Sequence, residues 1–496
     1  MTQGATPLLQ PITPAYHLRI LDDRQLRQLK SATLEILADI GIHCPSQMAL
    51  KIYADHNANV DFENQIVKIP SEIVLQAMSH APRFYVMGAR SPEYDLKLDG
   101  KRTYLATDGC GVETIDFITR NRRRSCKDDV AKMARVSDYL TSIGFYWPIV
   151  SAQDFPLTAP LHELEAAFNN TVKHIQSETI MDAGTARYSV EMARVIAGDD
   201  KTMRLRPPLS LLVCCIAPLG LDRDGMESAL TMAGAGLPVG FMSMSNLGAT
   251  GPATPAGTLI TGDAEIVAAL TLIQMAYPGA PVFHSMMPGI MHPRTGAYLA
   301  TAWEGTLLYP IGVELAHNWG VPSLAGVFAT DAQAPGWQSA GDASSSLMLC
   351  ALVGAETGSG LGLVESCRLL YPEAIMLDSD IYHRVRIEAA GLDTSSAEMA
   401  VDVLREVGPR GHFLKHHHTR ENMHKRLFSE LTSQPAPGGG NRDPIEVARE
   451  KIDWILENHH PQELDSSQQR EIQLILNKAD QEIGLRAVPA PSQEGV

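Results

Sequence analysis

Residues 237–302 read LPVGFMSMSNLGATGPATPAGTLITGDAEIVAALTLIQMAYPGAPVFHSMMPGIMHPRTGAYLATA, and their periodicity changes several times. An apolar run, Val239 to Met244, stops at Ser245 and Asn246. A loop rich in Gly, Pro and Thr follows, then a helix-like run from Asp263 to Met275. A second apolar run, Val282 and Phe283, stops at His284 and Ser285. Strand, loop, helix, strand, with small polar groups where each strand ends, is the unit of a parallel α/β barrel, whose strand ends form the active-site face.

The same unit extends outward in both directions. Short apolar runs ending in small polar or charged residues occur at 103–108, 145–153, 174–178 and 209–216, then at 239–246, 282–285, 323–331 and 361–366. Helix-length segments separate most of them: 128–140, 159–171, 183–197, 223–235, 263–276 and 339–354. Eight strands alternating with helices favour a (β/α)8 barrel over a doubly wound sheet. No GxGxxG follows a strand and no GxxxxGK[ST] is present, so dinucleotide and P-loop folds have no support.

Before the barrel, Leu26, Leu29, Ile36, Leu37 and Ile40 fall at helical spacing until Gly41 stops the run. The spacing predicts further helices over 46–56 and 71–79 around a short strand at 66–69. The expected organisation is a polar N-terminal arm (1–20), an α-rich segment (21–102), the barrel (103–405) and a His-rich segment (406–433). A Pro/Gly linker (434–444) and a helical C-terminal extension (445–496) complete it.

Composition removes several function classes. The formal charge of -16 argues against binding a phosphate backbone, and the basic trio Arg122-Arg123-Arg124 reads as a solvated turn. No uncharged run reaches the roughly 18–20 residues that span a bilayer. The N-terminus lacks the basic and apolar regions of a secretory signal. The seven cysteines, Cys44, Cys110, Cys126, Cys214, Cys215, Cys350 and Cys367, are scattered without CxxC spacing, so neither a disulfide framework nor a thiolate zinc site is expected. A cytoplasmic chain touching neither nucleic acid nor membrane is the expectation.

Several motifs stand at unusual fixed spacing. They are Gly248-Ala249-Thr250-Gly251-Pro252, Ala264-Glu265-Ile266 and Pro278-Gly279-Ala280-Pro281, with Thr33 to Gly41, Ile69-Pro70 and Ala81-Pro82 upstream. Others are Asp116 with Arg120, Arg122 and Arg123; Thr330-Asp331 with Pro335 and Gln338; and Gly411-His412-Phe413-Leu414 with His416, His418 and Thr419. From about residue 22 to 430 the chain resembles the trimethylamine methyltransferase family of corrinoid-dependent methyltransferases. The resemblance implies methyl transfer from a methylated amine to cobalamin carried by a separate corrinoid-binding protein. The founding enzymes carry pyrrolysine in the barrel, whereas this sequence has only standard residues. That departure places it with relatives that resemble glycine betaine methyltransferases.

A chemical argument supports a quaternary substrate. A quaternary ammonium is permanently charged, has no lone pair, and releases a neutral tertiary amine when its methyl group is attacked. The protein then has to orient and desolvate a cation. Aromatic faces hold such cations, each contributing roughly 0.5–2 kcal/mol. The aromatic candidates near strand ends are Tyr146, Trp147, Trp303, Tyr309, Phe328 and Trp337; packing in the core or between helices is the simpler expectation for any one of them, and Trp337 escapes it best. Trp337, in the loop Ala334-Pro335-Gly336, is expected to close over a trimethylammonium head. His284, with His292 and Arg294 nearby, is the candidate partner for a betaine carboxylate. Asp331, Glu365 and Asn246 are the catalytic candidates, attracting the ammonium or orienting loop amides, with Gln153 and Gln338 as neutral contacts. His412, His416 and His418 are expected on the corrinoid side, and no metal is expected because their spacing is poor for zinc.

The leading expectation is a quaternary-amine:corrinoid protein methyltransferase acting on a glycine betaine-like substrate, as a homo-oligomer. Proline betaine, carnitine and γ-butyrobetaine are alternative substrates, and a cation-binding barrel without turnover is the alternative class. A barrel decarboxylase related to tetrapyrrole enzymes would need an arginine cluster at the strand ends, which is missing.

Overall fold

The computed structural model describes residues 5–426 and 428–487. Eight parallel strands close into a barrel: β1 (Tyr104–Thr107), β2 (Ile143–Tyr146), β3 (His174–Ser177), β4 (Leu209–Cys214), β5 (Val239–Ser243), β6 (Val282–Met286), β7 (Ser323–Gly326) and β8 (Thr357–Leu361). Neighbours in sequence are neighbours in the sheet, and Thr357 of β8 pairs with Tyr104 of β1 to close the ring. The principal helices after the successive strands are α1 (Lys127–Tyr139), α2 (Ala159–Asn170), α3 (Ala183–Ala197), α4 (Arg223–Ala235), α5 (Pro255–Ala276), α6 (Trp303–Trp319), α7 (Trp337–Val353) and α8 (Ala374–Ala389). The chain is a (β/α)8 barrel.

Four elements of the barrel differ from the sequence reading. The last strand is Thr357-Gly358-Ser359-Gly360-Leu361, ahead of the expected 361–366 run, because its two glycines look like a turn. They are needed there: Gly360 sits at φ +121°, and a Cβ would lie 3.0 Å from the backbone nitrogens of Phe328 and Ala329. Helices α6 and α8 had no counterpart in the sequence reading; α6 carries Pro310 in its interior. Helix α5 begins eight residues early, at Pro255, which occupies the first helical turn where its missing N–H costs nothing.

The two-residue strand period fixes which side chains enter the barrel. Gly240 of β5 is in register with Phe283 of β6, and the Phe283 ring fills the space where a Cβ on Gly240 would lie. Gly240, Met242, Phe283 and Ser285 therefore share the inner face, whereas Phe241, Ser243 and His284 turn toward the helices. Helix α5 is apolar nearly all round and long enough to cross a bilayer by composition, but it packs between the barrel and the helices Asp23–Glu35 and Ser71–Met78. Its two acids have partners. Asp263 accepts from Thr33 Oγ1 (2.6 Å) and Trp319 Nε1 (3.0 Å), and Glu265 accepts from Leu219 N (2.8 Å) and Ser243 Oγ (2.6 Å).

The flanking segments are tied to the barrel. Residues 21–102 add a three-stranded antiparallel sheet and a hairpin to three α-helices. Buried Ile12 bridges to Thr103, just ahead of β1, so this part of the polar arm is docked. In the C-terminal extension, His459 Nε2 lies 2.8 Å from buried Asp138 of α1. Over the barrel mouth lies a four-stranded sheet made of Glu113–Ile115, Arg122–Arg124, Leu363–Val364 and Leu369–Leu370. The arginine trio is thus a strand and not the expected turn. Arg122 pairs with Glu365 (2.9 Å) and Glu113 (2.6 Å), and Arg123 pairs with Asp116 (2.8 Å) and Asp129 (2.7 Å).

Candidate active site

The C-terminal ends of all eight strands converge on one hollow. Asp108 follows β1, Trp147 follows β2, Glu178 follows β3, Cys214 ends β4, Met242 and Met244 come from the end of β5, and Met287 follows β6. Gly326 of β7, Ser359 and Gly360 of β8, and Cys110, Tyr298, Ala329, Ser366 and Cys367 of the connecting loops complete a cavity of about 180 Å³. Its position is that of the active sites of (β/α)8 enzymes. The lining combines two carboxylates, two aromatic rings and three thioethers, and contains no lysine, arginine or histidine. A second hollow, about 400 Å³, lies outside the barrel between α1, α2 and the helix Ser466–Ala487; it is polar, and Lys127 and Glu165 pair across it at 2.7 Å.

The two acids are held differently. Asp108 Oδ1 accepts from Gly109 N (2.7 Å) and from the Cys110 thiol (3.2 Å). Glu178 has no such support: burial, with the Asp108 and Glu163 charges adding to it, pushes its carboxyl up to about 8. Trp147 N donates to Thr107 Oγ1 at 3.0 Å, and the indole lies where a Cβ on Gly109 would collide with it. Glycine at 109 therefore lets the ring lie against the backbone beside Asp108.

Asp108, Cys110 and Cys367 bring a carboxylate and two thiols within 4.8 Å of one another. The hydrogen bond with Cys367 raises the Cys110 thiol well above its ordinary value. For Cys367 the bond from Cys110 acts downward, but burial and the Asp108 charge outweigh it and leave the thiol at about 12. Without a bound ion both thiols therefore stay protonated at neutral pH, and a metal would have to displace their protons.

An unusual turn carries one side of the cavity. Glu365, Ser366 and Cys367 have φ of 55°, 54° and 66°, three successive non-glycine residues in the left-handed region. Each such conformation costs roughly 1–2 kcal/mol. Local bonds hold it: Ser366 N donates to Thr330 O (2.8 Å), Glu365 N donates to Ala332 O (2.9 Å), and Ser366 Oγ donates to Asp331 (2.6 Å). Asp331 also accepts from Ala300 N (3.1 Å), Thr301 N (3.1 Å) and Thr301 Oγ1 (3.0 Å).

Of the residues expected from sequence, only Trp147 lines the cavity. Asp331 orients loop amides, Glu365 is paired with Arg122, and Asn246 lies in a two-residue strand beside Gly289 with its Oδ1 buried and unbonded. The expected clustering of Asn246, His284, Asp331 and Glu365 around one cavity is not what the structure shows. His284 faces the helix layer, with Nε2 3.0 Å from Asp263, because Met287 and its even-spaced neighbours take the inner face. Tyr146 donates to Val130 O (2.9 Å), Tyr309 donates to Ala300 O, and Phe328 is buried outside the lining. Gln153 accepts from Arg124 (2.6 Å) in the covering sheet. Trp303 and Trp337 are the first residues of α6 and α7 and are 93% and 91% exposed, with Gln338 exposed beside the latter. His412 and Arg294 are exposed; His416 Nε2 lies 3.0 Å from Glu406, and His418 N donates to His416 Nδ1 (3.2 Å). His292 Nδ1 accepts from the backbone of its own turn at 3.3 Å.

The missed lining residues left a partial trace. Asp108 and Glu178 are the last residues of two runs, and Met242 and Met244 share the two-residue period with Gly240. Ser366 closes the run read at 361–366, whereas Cys110, Cys367 and Tyr298, the last in a two-residue strand, left none.

The model of the trimethylamine methyltransferase (MTTB) family matches residues 2–484. The chain is 30% identical to the trimethylamine methyltransferase MttB of Desulfitobacterium hafniense, covering 93% of this chain and 94% of that protein. It is 27% identical to a glycine betaine methyltransferase of Desulfitobacterium hafniense, covering 95% and 99%. The solved monomethylamine methyltransferase (MtmB) of Methanosarcina barkeri shares the fold, with a TM-score of 0.54 at 13% identity, covering 95% of this chain and 89% of that one. With both the family match and the relatives running nearly end to end, the chain belongs to the trimethylamine methyltransferase family.

Proposed function

We propose that the chain moves a methyl group from a quaternary ammonium to the cobalt of a corrinoid carried by a separate protein. The observation that carries this reading is the cavity lining: Asp108 and Glu178 supply negative charge, Trp147 and Tyr298 supply aromatic faces, and three methionines supply polarisable apolar contact. Such a wall suits a methylated cation that can neither donate nor accept a hydrogen bond. In the transfer, the methyl carbon accepts the electron pair of the acceptor's cobalt(I). The carbon–nitrogen bond breaks with its pair staying on nitrogen, which leaves as a neutral tertiary amine. No proton moves, so the lining needs no general acid for this step. Its work is to hold the head, exclude water and present one methyl group.

The acceptor has to approach the strand-end face. Trp303 and Trp337, exposed at the starts of α6 and α7, offer apolar surface on that side for a macrocycle or its carrier. His412, His416 and His418 are proposed as further contacts for the carrier, and no metal is proposed in this chain. The test supplies cob(I)alamin with a panel of quaternary amines and with trimethylamine, and follows methylcobalamin absorbance. Transfer from at least one quaternary amine, faster than from trimethylamine, is expected. Trimethylamine outpacing every quaternary amine would overturn the reading.

A further inference from the structure

Resting on the quaternary-ammonium reading, we propose that the cavity takes a permanent cation whose fourth arm is short and uncharged, and that Asp108 and Glu178 turn betaines away. A betaine brings its own carboxylate, in glycine betaine one methylene from the nitrogen. In a cavity of about 180 Å³, roughly six waters' share of liquid volume, that carboxylate stays close to the head wherever the head docks. It would sit near two acids in a space poorly screened by solvent, where like charges repel strongly.

Among the described residues, no cation lines the cavity to compensate that carboxylate. His284, the sequence candidate for this role, is behind β6 against Asp263. Of the covering-sheet arginines, Arg122 is paired with Glu113 and Glu365 and Arg123 with Asp116 and Asp129, while Arg124 is outside the lining and donates to Gln153 Oε1. A hydroxyl or methyl arm meets none of these difficulties, since Ser359 and the methionine thioethers accept either. The raised Glu178 carboxyl adds support: an entering cation draws it into its ionised form, whereas an entering carboxylate does the opposite.

The experiment titrates the full chain by calorimetry at pH 8 with tetramethylammonium, choline, glycine betaine and trimethylamine, and repeats the transfer assay with each. Tetramethylammonium and choline should bind at least tenfold more tightly than glycine betaine. Asp108→Asn should weaken the two cations at least tenfold and glycine betaine less than threefold, closing the gap. Glu178→Gln serves as the second variant, with the same direction expected, and a melting curve checks folding of both. Glycine betaine binding as tightly as the cations, or equal losses for all ligands in both folded variants, would overturn the arm rule and leave the quaternary reading standing. Turnover of trimethylamine alone would instead remove the reading on which the rule rests.

Discussion

Asp263 and Glu178 are both acids walled off by the barrel, yet they have opposite surroundings. Asp263, between barrel and helices, receives Thr33 Oγ1, Trp319 Nε1 and the facing nitrogen of His284. Glu178, inside the mouth, faces open volume and is pushed up to about 8 with no hydrogen bond to offset burial. Saturated acids of the first kind fasten layers together. An unsaturated acid facing a cavity stores an attraction for something not yet bound.

That contrast breaks most visibly if the fastened acid is removed. Asp263→Ala should cost about 3–5 kcal/mol of stability, because it strands buried polar partners, while cation affinity of the folded fraction is unchanged. Chemical denaturation beside a ligand titration reads both. Asp108→Asn should do the reverse, costing more than tenfold in cation affinity, about 1.4 kcal/mol, with little change in melting.

A pH series sharpens the contrast at Glu178. Its folded value lies above the unfolded value of about 4.3, so its stability contribution is full below that value and lost as pH rises through about 8. Cation affinity runs the other way, rising with pH by up to tenfold per unit below about 8, because only the ionised acid attracts the ligand. Glu178→Gln should flatten the affinity profile, read by calorimetry from pH 6 to 9. The smallest effect belongs to the exposed tryptophans. Trp303→Ala and Trp337→Ala should change stability by less than about 0.5 kcal/mol and leave cation affinity intact, slowing only transfer to a protein-borne corrinoid.

The barrel was legible because buried parallel strands must be short apolar runs, and seven of them announce themselves so. The eighth hid because closing the ring between β7 and β1 requires glycines, which weaken the apolar signal. The site was legible only as a location. Sequence marks where a strand ends, but not which face its last residues take, so His284 was named and Met287, three residues on, was not. Register with β5 separates them, and register is a property of the neighbouring strand. Cys367 reaches the cavity through a turn whose left-handed backbone no residue type there advertises, and Tyr298 reaches it from a two-residue strand too short to read.

The left-handed turn at 365–367 has a consequence for anyone who would retune this enzyme. Ser366 is clamped to Asp331, which in turn grips the 300–301 backbone, so three loops share one joint. The mouth therefore behaves as a fixed aperture and not as a set of independent flaps. A bulkier ligand is expected to bind poorly, and loosening one loop to loosen all three together. Enlarging the accepted substrate range calls for trimming a wall residue such as Met287 while leaving the joint untouched.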